Sequence, residues 1–299
     1  MNAPLLVVGH GTRDAAGVAG FLDFVKRLQG RLPVDGPSDV EGGFIELSRP
    51  PLTDAVTALW DAGHRHVVAL PLVLVAAGHG KGDVPGALNR ERERRPGLSY
   101  RYGRPLGPHP TLLSLVEERV DVALDGEPRE GTTVVLVGRG STDPDANAEI
   151  AKVARLLWEG RGYDGVETSF VSLAPPGVPA ALDRARALGA RRVVVAPYFL
   201  FAGVLPDRVA DQSREWAAAH PDVDVRVAPV IGDCDGLADL VLERYDEALH
   251  GDIRMNCDTC VHRVAMPGFE HKVGAPQTPH DHPDDPTHGH AHAHGHRHS

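Results

Sequence analysis

The stretch Leu5-Leu6-Val7-Val8-Gly9-His10-Gly11-Thr12-Arg13-Asp14 decides the fold, because it returns 129 residues later as Val134-Val135-Leu136-Val137-Gly138-Arg139-Gly140-Ser141-Thr142-Asp143. In each copy an unbroken apolar run ends in a glycine-rich turn and gives way to an amphipathic stretch. That is the pattern of a parallel strand covered on both faces and followed by a crossover helix. Two further matches follow at an offset of 126 residues: Phe44-Ile45-Glu46-Leu47 with Phe170-Val171-Ser172-Leu173, and Val67-Val68-Ala69-Leu70-Pro71 with Val193-Val194-Val195-Ala196-Pro197. The chain is therefore read as an internal duplication. Carried forward, the same offset sets His79 opposite Leu205, so one copy holds His10, Glu46 and His79 where the other holds Arg139, Ser172 and Leu205.

Working outward, Val- and Ile-rich runs at 4–8, 43–47, 66–75 and 98–102 alternate with amphipathic stretches starting near Asp14, Pro51, Asp83 and Pro110. The second copy places strands at 132–137, 166–172, 192–200 and 223–227. The predicted fold class is α/β, with two tandem doubly wound parallel-sheet domains, each with its own core. The expected boundaries are 1–125 and 126–250, divided by the polar linker Asp125-Gly126-Glu127-Pro128-Arg129-Glu130-Gly131. A cysteine-bearing segment at 251–273 and a tail at 274–299 follow; the tail is Pro, Asp and His with almost nothing apolar, and is expected to be disordered.

At 299 residues the chain has room for two domains, and its net charge of −10 with scattered Arg and Lys argues against a nucleic-acid partner. The most apolar segment, Val67 to Gly78, is too short to cross a bilayer, so the expectation is a soluble cytoplasmic protein that acts on a small molecule. Only three cysteines occur, and Cys257-Asp258-Thr259-Cys260 in a reducing compartment suggests metal or cluster ligands before a disulfide.

His10 follows the first strand and His79 the third, with Glu46 at the end of the second. All three fall on the carboxyl edge, where open α/β sheets bind ligands. Two neutral imidazoles and a carboxylate make a first shell for Co²⁺, Fe²⁺ or Ni²⁺. Gly9, Gly11, Gly78 and Gly80 are read as letting the backbone approach a flat, bulky ligand. Taken singly, either histidine could be a turn residue; their joint placement favours ligation. His64, His66 and His109 lack such pairing and are read as surface or turn residues. A dinucleotide reading of the first turn fails, since the third glycine of that fingerprint is missing and His10 stands where phosphate would sit.

Gly9-His10-Gly11-Thr12-Arg13, Glu46, and Pro71-Leu72-Val73-Leu74-Val75-Ala76-Ala77-Gly78-His79 together resemble the class II tetrapyrrole chelatases, in particular the long form of sirohydrochlorin chelatase, over about residues 4–265. One departure is Ala77, where that family more often has glycine. The resemblance implies insertion of Co²⁺ or Fe²⁺ into sirohydrochlorin without ATP, with His10 and His79 binding the metal and Glu46 assisting. An acidic protein that takes a carboxylate-rich tetrapyrrole must present local cations, and Arg13, Lys81 and Arg139 at or beside strand ends are the candidates. The resemblance extends to Met255-Asn256-Cys257-Asp258-Thr259-Cys260, implying a 4Fe-4S cluster, and to the eight histidines between His280 and His298. Two thiolates do not complete such a cluster. Cys234 or a second chain of a homodimer could supply more, and a zinc knuckle with His262 is the structural alternative. The tail is read as a tethered metal reservoir, and the chain as a monomer or homodimer. The competing reading, a cobalt or nickel storage protein, gives no reason for a cleft-facing set kept in one copy only.

Overall fold

A computed structural model describes residues 3–32, 40–251 and 270–272, with the backbone but not the side chain of His79. Cys257, Cys260, His262 and the histidine-rich tail lie outside the described residues. The first copy runs β1 (Leu5–Gly9), α1 (Ala15–Gln29), β2 (Val40–Phe44), α2 (Leu52–Asp61), β3 (His66–Pro71), a π-turn (His79–Asp83), α3 (Val84–Arg94), β4 (Ser99–Tyr102) and α4 (Pro110–Leu124). The second runs β5 (Thr132–Gly138), α5 (Pro144–Trp158), β6 (Gly165–Phe170), α6 (Val178–Ala187), β7 (Arg192–Pro197), α7 (Val204–Ala219), β8 (Asp224–Val227) and α8 (Asp235–His250). Each set of four strands forms an all-parallel sheet, in the order β2-β1-β3-β4 and β6-β5-β7-β8. The doubly wound architecture is thus present twice, and none of the described helices is long and apolar enough to cross a membrane.

Alternation along the buried strands sorts side chains into three apolar layers. Leu6, Val8, Val67 and Ala69 meet α2 and α3 on one outer face, and Val135, Val137, Val193 and Val195 meet α6 and α7 on the other. Leu5, Val7, Val68 and Leu70 of the first sheet face Val134, Leu136, Val194 and Ala196 of the second within one continuous central core. The expectation of separate cores is therefore corrected. Its physical cause is an exchange of closing helices: α4 lies against β7 and β8, and α8 lies against β3 and β4. Ion pairs hold α8 in place. Arg104 grips Glu247 with two hydrogen bonds of 2.8 and 2.6 Å, and the buried Arg244 donates to the carbonyls of Pro105 and Leu106.

The strand limits also differ from the expected ones. β2 spans 40–44 and not 43–47 because Gly42 and Gly43, weak strand formers, are what the packing requires. A Cβ on Gly42 would stand 2.5 Å from Val25 Cγ2, and one on Gly43 2.8 Å from the Leu52 backbone. β3 and β7 stop at Pro71 and Pro197, where the apolar runs leave the ladder to form cleft walls. The duplication is visible in local geometry: Leu47 and Leu173 both take a left-handed backbone, at φ 62° and 61°. Gly11 and Gly140 sit at φ 105° and 85°, each with its missing Cβ 1.8 Å from a carbonyl oxygen, of Glu46 and Ser172 respectively.

Gly140→Ala should therefore destabilise the fold by at least about 3 kcal/mol, since both backbone conformation and space forbid a methyl group there. Gly63→Ala, at φ 95° but with nothing within 4 Å of the added carbon, should cost only roughly 1–2 kcal/mol. Urea unfolding of the two variants measures the difference, and equal losses would contradict this packing.

Candidate active site

The sheet order reverses between β1 and β3, which leave the sheet as neighbours (Val8 beside Pro71) and send their loops to opposite sides. A crevice opens at such a switch point. Here it is a cavity of about 500 Å³ between the two copies, walled by the loops after β1, β3, β5 and β7. That size suits a bulky organic ligand.

His10 follows β1 directly. Backbone pairing continues past the β1–β2 ladder, with Ile45 N donating to Gly9 O (3.0 Å) and Glu46 N to His10 O (3.1 Å). This pairing brings the side chains together: His10 Nε2 lies 3.1 Å from Glu46 Oε1, both partly buried, while Nδ1 stands 3.2 Å from Gly11 O. With the proton on Nδ1 and donated to that carbonyl, Nε2 presents its lone pair beside a carboxylate, an arrangement suited to a divalent cation. Ser48, which sequence reasoning missed, locks the loop: its Oγ accepts from Thr12 N (2.8 Å) and donates to Thr12 O (2.5 Å).

The flanking glycines have a packing role that the sequence did not signal. A Cβ on Gly9 would stand 2.9 Å from Phe21 and 3.0 Å from Phe44, and one on Gly11 would strike Glu46 O, so these glycines, which line the cavity, are also required by internal packing. His79 opens the π-turn, and Ala77 and Gly80 on either side of it line the same cavity as His10. The turn is tied by Lys81 N to Ala77 O (2.9 Å) and by the Tyr102 hydroxyl donating to Gly80 O (2.8 Å). Among the described residues no three His, Cys, Asp or Glu side chains converge on a single metal position; His10 and Glu46 form a pair.

Arg13 and Arg139 are exposed on the cavity wall. Lys81 does not belong with them. Its ammonium is buried and bound 2.8 Å from Asp143 Oδ2 and 2.8 Å from Asp145 Oδ2 in the second copy, so its assignment to substrate binding is corrected. Burial opposes its charge, but the hydrogen bonds it donates to Asp143 and Asp145 prevail and hold the pKa above the ordinary lysine value. Of the other histidines, His109 caps α4 by accepting from Thr111 N, His66 Nδ1 lies 2.5 Å from Ser99 Oγ, and Cys234 stands before α8 as a free thiol.

The second copy contributes an aromatic wall, Tyr198, Phe199 and Phe201, where the first has Leu72, Val73 and Val75. The Tyr198 hydroxyl is buried without a hydrogen-bond partner among the described residues, and burial raises its pKa. The signal for this wall was present in the repeat, since Tyr198-Phe199-Leu200-Phe201 is the aligned counterpart of Leu72-Val73-Leu74-Val75.

Comparison with known proteins agrees with this geometry. A sirohydrochlorin cobaltochelatase of Priestia megaterium is 36% identical over 264 residues, 88% of this chain and 85% of that protein. A sirohydrochlorin ferrochelatase of the same organism is 29% identical over 79% of this chain and 87% of its own length. Among solved structures, SirB from Bacillus subtilis with Fe³⁺ superposes with a TM-score of 0.73 at 27% identity, covering 84% of this chain and 96% of that one. SirB from the subspecies spizizenii in complex with cobalt gives 0.68 at 27% identity, covering 83% and 95%. The CbiX family model matches twice, over residues 4–123 and 133–248, one match to each copy of the duplicated sheet, and the chain belongs to the CbiX family.

Proposed function

We propose that this protein is a cytoplasmic sirohydrochlorin chelatase that inserts a divalent metal into the macrocycle without ATP, and that Co²⁺ is its preferred metal over Fe²⁺. The observation that carries this reading is the His10–Glu46 pair on the wall of a cavity sized for a flat organic ligand, in a chain 36% identical to a cobaltochelatase. Identity is lower, 29%, toward the ferrochelatase of the same organism, which favours cobalt.

Insertion exchanges one divalent cation for two pyrrole N–H protons. The metal must be held, but loosely, and a base must receive each proton as it leaves. His10 can hold the metal and take one of the two protons, because a neutral imidazole can ligate the metal and, after releasing it, accept a proton near neutral pH; the other proton passes to solvent water in the open cleft. Glu46 stabilises either state, as a co-ligand of the metal or as the counterion of a protonated His10. His79 takes the second ligand position, from the turn that faces the same cavity. The macrocycle rests against the apolar and aromatic walls, and its carboxylates pair with Arg13 and Arg139 at the exposed rim. In the second copy Arg139 replaces His10. A guanidinium has no lone pair for a metal, so that copy serves as an anion-binding wall. The Cys257–Cys260 pair lies outside this sequence of steps.

His10→Ala should lower the insertion rate at least ~100-fold with an unchanged far-ultraviolet circular dichroism spectrum. Glu46→Gln should lower it roughly 10-fold through weaker metal binding. The absorbance change of sirohydrochlorin on adding Co²⁺ reads both, and near wild-type turnover by His10→Ala would remove the proposed site.

Arg139→Ala and Arg13→Ala should each raise the KM for sirohydrochlorin about 10-fold, the worth of one charge-assisted hydrogen bond, and leave the KM for Co²⁺ unchanged. A variant that raised only the metal KM would contradict this division of labour between the copies.

A further inference from the structure

We propose that Lys81 is a positioning residue: held across the interface by Asp143 and Asp145, it fixes the π-turn His79–Asp83 and with it the backbone that carries the second imidazole. The inference rests on the reading that this cleft inserts metal into sirohydrochlorin, and it adds a part that the reading does not contain. The Lys81 side chain is 7% exposed and those of its two partners 6% and 7%, so the ion triad is largely shielded from water. Such a cluster is costly to bury, and removing one partner leaves the others uncompensated, so the loss of Lys81 acts on the segments that the cluster joins. Within the triad two carboxylates face one ammonium. The N-terminus of α5 favours both carboxylates, since Asp143 is the cap, accepting from Asp145 N at 3.1 Å, and Asp145 lies in the first turn.

The placement within the duplication strengthens the inference. At the offsets that relate the two copies, Lys81 corresponds to Asp207, which is exposed, and Asp145 corresponds to Ala16. The triad therefore exists on one side of the pseudo-symmetric interface only, the side that bears His79. On the other side the copies meet through close backbone approach: a Cβ on Gly17 would stand 2.6 Å from Ala202 O. The turn itself is a single π-turn with glycines at positions 80 and 82, intrinsically poor at holding one conformation. Tyr102 anchors Gly80 O from the first sheet, and the triad anchors the next residue from the second copy. Through Asp143 the same contact reaches the β5–α5 connection, residues 139–143, so one ammonium sets both a metal-ligand turn and an anion-binding loop.

The test uses the full-length protein and three variants: Lys81→Met, Lys81→Arg, and Lys81→Met combined with Asp145→Asn. The double variant keeps the α5 cap and returns the cluster to its wild-type net charge, so it reports on positioning even if Lys81→Met alone folds poorly. Amide hydrogen exchange of residues 77–84 should accelerate about 10-fold or more in both Met variants while the β1 and β3 amides stay protected. The insertion kcat should fall roughly 10- to 100-fold, as expected for a displaced ligand, with the sirohydrochlorin KM within about twofold. Lys81→Arg should recover most of both. Unchanged exchange at 77–84 in the double variant, or a loss of insertion that merely tracks the fraction folded, would overturn the proposal. Failure of the wild-type protein to insert metal would overturn the function reading instead, and the exchange result would still judge the clamp.

Discussion

The burial of α4 and α8 between two parallel sheets is the constraint on which the rest of the molecule depends. Neither sheet could expose Leu5, Val7, Val68 and Leu70, or Val134, Leu136, Val194 and Ala196, to water without losing the largest favourable contribution to folding. Because each closing helix covers the strands of the other copy, the two sheets are bound into one body. The carboxyl edges of both sheets then open into one shared crevice. A cleft walled by rigid elements on both sides can hold ligand groups at fixed separations, which insertion into a planar macrocycle requires.

Within that frame the two copies have diverged in chemistry while keeping the same backbone. The loop after β1 and its counterpart after β5 share the ladder extension, Glu46 N to His10 O and Ser172 N to Arg139 O, and the same glycine with the same forbidden Cβ. The side chains at these matched points differ. His10 beside Glu46 can bind a cation and receive a proton, whereas Arg139 beside Ser172 can only donate to anions. Duplication thus supplied two equivalent positions, and substitution left a cation-binding pair at one and an anion-binding group at the other.

Much of this was legible in the sequence, for identifiable reasons. Parallel strands buried on both faces leave continuous apolar runs, and a repeat compared with itself shows which residues the backbone does not require, so His10, Glu46 and Arg139 stand out. Contacts between distant segments left no such trace. The exchange of α4 and α8 depends on surfaces that look alike in either copy, so the cores were expected to be separate. Lys81 reads as an exposed cation beside a strand end, since nothing nearby in the chain signals that Asp143 and Asp145, 62 and 64 residues away, enclose it. The packing role of Gly9 and Gly11 left no trace because the side chain and carbonyl that crowd them, Phe21 and Glu46 O, come from other elements.

The central claim is that the metal is held in one copy, at His10, and not at the equivalent position of the other. Anomalous scattering at the cobalt edge from crystals equilibrated with Co²⁺ tests it directly. The account predicts a peak about 2.1 Å from His10 Nε2, the usual length of a metal–imidazole bond, and none between Arg139 and Leu205. A cobalt peak in the second copy, or an occupied cleft with no metal within bonding distance of His10, would contradict it.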